Sequence, residues 1–160
     1  MARAFRELQV EHEEFYLLEP EFCGELYYHI PVDKRPLCVT AFLTIVNWFA
    51  MSRRSGVWTF YEGASPEDIE LTIQYLEQTG DDELASVVRY GAHDYQNPKY
   101  AGNWNCPKKW IDESGKIDDW INRHEVWLYM WERKALIDNK TLICSLEDDE
   151  RRRTAVPPAL

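Results

Sequence analysis

The segment from Leu37 to Met51 constrains this chain more than any other. Leu37, Val39, Ala41, Phe42, Leu43, Ile45, Val46, Trp48 and Phe49 leave it almost no polar face. A helix that is apolar all round needs other elements on every side, so it belongs at the centre of a fold. No uninterrupted apolar run approaches the ~18–20 residues of a membrane span. Pro36 suits a first-turn position, where its missing N–H costs nothing, and Asp33 is the expected N-cap.

The rest of the chain supplies amphipathic partners. Phe5, Leu8, Phe15 and Leu18 predict a helix over 3–18 that stops at Pro20, with Glu7, Glu11 and Glu14 forming one solvated stripe. A short helix is expected over 21–29, ended by Pro31. Residues 52–64 read as a connector carrying Gly56, Trp58, Phe60 and Tyr61. Ser65-Pro66-Glu67-Asp68 is a strong helix start, because Ser65 can cap, Pro66 fits the first turn and the acids meet the positive end of the dipole. Ile69, Ile73 and Leu76 then face inward, and Gly80 ends the helix. Asp81 or Asp82 opens another helix over 82–96, with Leu84, Val87, Val88 and Tyr95 inward. The two form an αα-hairpin.

Residues 97–116 read as an ordered loop pinned by Trp104 and Trp110. Ile117, Trp120, Ile121, His124, Trp127, Leu128 and Trp131 predict one long helix over 117–136, in which His124 is a core imidazole. Leu142, Ile143 and Leu146 suggest a short strand or extended segment. Residues 147–160, with mixed charge and two prolines, read as a disordered tail. The expected fold is a single all-α multi-helix bundle over 1–146 with an acidic surface. Phe42, Ile45, Phe49, Ile73, Leu76, Val87, Trp120 and Leu128 are its expected core.

Composition narrows the function classes. In 160 residues, 45% hydrophobic and 14% aromatic content excludes a disordered chain. Cys23, Cys38, Cys106 and Cys144 show no zinc or redox spacing and are expected to be reduced, mostly buried thiols. The N-terminal Met-Ala-Arg-Ala-Phe-Arg-Glu has no apolar signal segment, so a soluble, cytoplasmic protein is expected. The formal net charge of −10 opposes nucleic acid or anionic lipid and favours a basic partner. That charge is unevenly placed: residues 55–88 hold no Lys or Arg and eight acids, Glu62, Glu67, Asp68, Glu70, Glu77, Asp81, Asp82 and Glu83. A row of helix carboxylates can stand in for a phosphate backbone, although solvated acidic faces are also common.

Glycines at 24, 56, 63, 80, 91, 102 and 115 form no phosphate loop, and neither a nucleophile elbow nor a His-Glu-x-x-His is present. Adjacent His and carboxylate residues diverge by about 100° on a helix, so His93-Asp94 is no catalytic pair by adjacency. No catalytic residue, cofactor or metal site is expected. A pocket near Trp58, Tyr61 and His93 is the remaining enzymatic alternative.

The central helix, the connector Ser55-Gly56-Val57-Trp58-Thr59-Phe60-Tyr61, the helix from Pro66 to Gly80 and the helix from Asp82 to Tyr95 occur in a known order. With Ile117-Asp118-Asp119-Trp120-Ile121, they resemble a bacterial DNA-mimic family, a domain-of-unknown-function family of small acidic helical proteins. The likeness covers roughly residues 36–136. Arg54-Ser55-Gly56-Val57-Trp58 stands where that family has Asn-Gly-Gly-Phe. The resemblance implies an all-α, dimer-capable protein whose carboxylates occupy a DNA-binding protein's basic surface. The residues expected to do so are Glu67, Asp68, Glu70, Glu77, Asp81, Asp82 and Glu83, then Glu7, Glu11 and Glu14. The alternative is an immunity-type protein that neutralises a toxin and also uses Gly56, Trp58, Phe60 and Tyr61 of the connector.

Overall fold

The computed structural model describes residues 15–101 and 105–146, and among these the chain is all-α with no strand. Its helices are α1 (Phe15–His29), α2 (Leu37–Ser55), α3 (Trp58–Gly63), α4 (Pro66–Thr79), α5 (Asp82–Gly91), α6 (Lys108–Arg123) and α7 (Glu125–Asp138), followed by α8 over 140–146. The chain divides into two compact units, one of residues 40–128 and one of 1–39 with 129–160. No described helix is long and apolar enough to cross a membrane. Glu7, Glu11, Glu14 and the segment 147–160 lie outside the described residues.

In the unit of residues 40–128, α2 is buried as its composition demands: Phe42, Ile45, Trp48 and Phe49 are all in the core. Ser65 caps α4 by accepting the Asp68 N–H at 3.4 Å. Gly80 ends it in the left-handed region at φ +78°, which lets the Asp81 N–H return to the Leu76 carbonyl at 2.8 Å. Helix α4 packs on α5, and α5 on α6. Ile73, Leu76 and Leu128 are buried as expected, whereas Val87 and Trp120 are only half-buried.

Several expected boundaries are corrected. The connector is not irregular throughout, because Gly56 turns the chain at φ +93° and α3 follows. One helical turn puts Val57, Phe60 and Tyr61 on a single buried face. Helix α5 ends at Gly91 rather than near 96, yet Tyr95 in the following turn is still buried. Helix α6 begins at Lys108, inside the expected loop. Its inward row of Glu113, Ser114, Ile117 and Ile121 has helical spacing, but two of the four are polar and hide the pattern. The expected long helix is broken at His124, which closes α6 with φ −112°. The His124 ring is half-buried, stacks on Trp120 at 4.2 Å and lies with Nδ1 2.8 Å from the Trp120 carbonyl, so it is a helix terminus rather than a core side chain.

In the other unit, α1 runs through Pro20 instead of stopping there. Pro20 is exposed, and burial of Phe15, Phe22 and Leu26 on either side outweighs the hydrogen bond it removes. Asp33 does not cap α2; it lies in a short 3-10 turn, Val32–Lys34. Arg35 donates from Nε to the Ile30 carbonyl at 3.2 Å and lies over the Tyr27 ring. Residues 140–146 are helical, not extended, and bury Ile143. All four cysteines are free thiols; Cys38 is buried and the other three are half-buried.

Candidate functional site

Helical periodicity arranges the acids of α4 as a ridge. Glu67, Glu70, Gln74, Glu77 and Gln78 are all exposed, and at 100° per residue they share one sector of about 100°. From Glu67 to Glu77 the ridge is about 15 Å long at 1.5 Å per residue. Glu67 and Glu70 stand one turn apart, and no hydrogen bond or ion pair engages either carboxylate among the described residues. Glu77 differs, because Arg89 of α5 donates from Nη2 to its Oε1 at 2.6 Å. Asp68 is half-buried beside the Ser65 cap.

Beyond Gly80 the remaining acids divide. Asp81 Oδ2 accepts the Thr79 hydroxyl at 2.6 Å, and Glu83 Oε1 accepts the Trp120 indole N–H at 3.1 Å. Asp82 is exposed and uncommitted. The seven expected residues of this region therefore do not form one cluster. Glu67 and Glu70 lie toward the start of α4, Asp82 lies past its end, and Glu77, Asp81 and Glu83 serve the local structure.

The aromatic connector is largely core. Tyr61 is buried, accepts the Trp48 indole N–H at 2.9 Å and donates to the Val88 carbonyl at 2.8 Å. Burial is the main cause that pushes its hydroxyl well above the ordinary tyrosine range. Phe60 is buried too, and Trp58 is half-buried. The Asp118 carboxylate pins the connector by accepting the Ser52 hydroxyl and, at 3.0 Å, the Val57 N–H. The Ile-Asp-Asp element thus has a structural task on the connector.

A cleft of about 490 Å³ opens along α4 and α5, lined by Tyr61, Ile69, Glu70, Ile73, Arg89 and His93 among others. Trp58 does not line it, which corrects the expected membership of this pocket. His93 Nε2 lies 2.6 Å from Glu113 Oε2, and its ring stacks on Trp110 at 4.7 Å. Burial tends to raise the Glu113 carboxyl, but the His93 hydrogen bond and the nearby Lys109 hold it below the usual range. Sequence reasoning missed this pair because the partners are 20 residues apart and α6 was expected to start later. Among the described residues no Ser, Thr or Cys lines the cleft, so none of them gives the oriented imidazole a hydroxyl or thiol there to activate. Cys106, the only loop cysteine, has its thiol raised by burial and by Glu62, the reverse of activation. Among the described residues no group of three or more His, Cys, Asp and Glu side chains is placed to hold a metal ion.

No family model, characterised protein or solved structure matches the chain.

Proposed function

We propose that the chain is a non-enzymatic binding protein that presents the α4 ridge to a basic protein, occupying surface that otherwise holds DNA phosphates. The observation that carries this reading is the exposed, uncommitted pair Glu67 and Glu70, in a stretch where residues 55–88 contain no Lys or Arg. Carboxylates one turn apart are ~5–6 Å from each other at Cβ, and Asp82 extends the negative field past the helix end. Such a field steers a cationic partner and weakens with salt, because exposed charges are screened beyond about 8 Å at physiological ionic strength.

The test replaces Glu67, Asp68 and Glu70 by Gln, Asn and Gln, which removes three charges and keeps side-chain size. Immobilised parent protein is expected to retain basic proteins from cells that make it, and to release them with salt or competing duplex DNA. The triple variant should retain markedly less while unfolding at nearly the parent's temperature. Retention of the same proteins by parent and variant at low and high salt would reduce the ridge to ordinary solvated surface. Release by salt but not by DNA would point to a toxin-like partner and against phosphate mimicry.

A further inference from the structure

The unit of 1–39 and 129–160 contains a group that the acidic-ridge reading does not use. Glu132 has no exposed surface, and no N–H or hydroxyl donor reaches either of its side-chain oxygens; the group within hydrogen-bonding reach is the Glu19 carboxyl, which can share a proton with it. Its place in α7 is a core place: Trp131, Ala135 and Leu136 are buried on the same helix, so Glu132 sits in an apolar row at i, i+3 and i+4 spacing. Helix α1 comes close to α7 at two points. The Tyr16 and Tyr129 rings lie 6.3 Å apart, and one turn along each helix the Glu19 carboxyl acts on Glu132. Cys23 follows one turn further on α1.

A buried carboxylate without a cation or a hydrogen-bond donor is strongly disfavoured, and the group keeps its proton instead. Among the described residues no Lys, Arg or His acts on either carboxyl. From α1, Glu19 acts on Glu132, and Cys23 responds to both carboxyls; burial first, then those charges, push its thiol up to about 12. On its own helix Tyr129, Arg133 and Lys134 are the ionisable residues within one turn, and none of them is a cause of the Glu132 shift. Asp33, Lys34, Arg35, Cys38, Lys140 and Cys144 belong to the other described stretches of the unit, and none of them is a cause of the Glu132 shift. A bound proton neutralises a carboxyl in such a place.

We propose that half-buried Glu19 and buried Glu132 form a proton-holding pair, so that docking of α1 on α7 depends on a bound proton and loosens when that proton leaves. Desolvation raises both carboxyls above their ordinary range; the Glu19 charge and hydrogen bond raise Glu132 further, whereas the same hydrogen bond eases the ionisation of Glu19, so the shared proton rests on Glu132. The sign follows from linkage. A carboxyl whose value is raised on folding contributes stability that is fully present below the unfolded value and is lost as pH rises through the folded one. Unfolding releases the Glu132 proton to solvent, so this group makes the unfolding constant rise up to about tenfold per pH unit between the two values.

Two measurements test the pair on the 160-residue chain. Infrared spectra at neutral pH should show a protonated-carboxyl C=O stretch that disappears in Glu132→Gln. Hydrogen exchange of residues 15–29 and 129–146 should accelerate with pH beyond the intrinsic rate in the parent, while residues 66–91 do not, and Glu132→Gln should remove that excess. Glu19→Gln keeps the idea testable if Glu132→Gln fails to fold: with the neighbouring charge gone, the loosening should move to a different pH. Absence of the protonated band, or an equal pH response in parent and both variants, would overturn the proposal.

Discussion

Tyr61 shows how much of this molecule is decided by single side chains. Its hydroxyl is held at both ends, by the Trp48 indole and the Val88 carbonyl, and its ring stacks near Tyr95 at 6.0 Å. Because the ring cannot yield, Gly91 has to be glycine: an added Cβ would lie 2.4 Å from Tyr61 Cε2 and 2.7 Å from Ile117 Cδ1. The reason is close approach, not a left-handed backbone. Gly91→Ala is expected to cost about 1–3 kcal/mol, as overpacked cores typically do. Urea denaturation followed by tryptophan fluorescence measures it, and a loss below about 0.5 kcal/mol would mean that the ring moves aside. The sequence made Tyr61 conspicuous as an aromatic but carried no sign of its hydroxyl partners. Glu132 was hidden more thoroughly, since a carboxylate in a helical pattern reads as a solvated position.

Among the elements, legibility tracked how purely apolar each inward row is. Helix α2 was readable because nearly every residue from Leu37 to Phe49 is apolar, and α4 because its cap, first-turn proline, acids and terminal glycine all agree. The apolar rhythm predicts the start of α6 nine residues too late, because Glu113 and Ser114 occupy its buried face. The His93–Glu113 pair went unseen for the same reason. The pattern also hides the break at His124, since Trp120, Leu128 and Trp131 keep an apolar rhythm across it. Local signals still carry energy where they were legible. Ser65→Ala removes the acceptor for the Asp68 N–H and is expected to cost about 1 kcal/mol. Thermal unfolding would report it, and an unchanged midpoint would show that the 3.4 Å bond contributes nothing in solution.

At the scale of the whole molecule, residues 40–128 form one compact unit from a single continuous stretch, whereas its companion draws on 1–39 and 129–160. On a ribosome these two arrangements have different histories. The continuous stretch has all its residues once Leu128 has emerged, while α1 must wait through the synthesis of that entire stretch before α7 and α8 exist. Proteolysis of a chain released after Leu128 should therefore spare 40–128 and cleave within 15–39, and the 160-residue chain should protect both; protection of 15–39 in the shorter chain would refute this order. During the wait, Phe15, Phe22, Leu26 and Ile30 have no finished core to enter. Apolar surface left waiting in this way is what makes a newborn chain prone to aggregate.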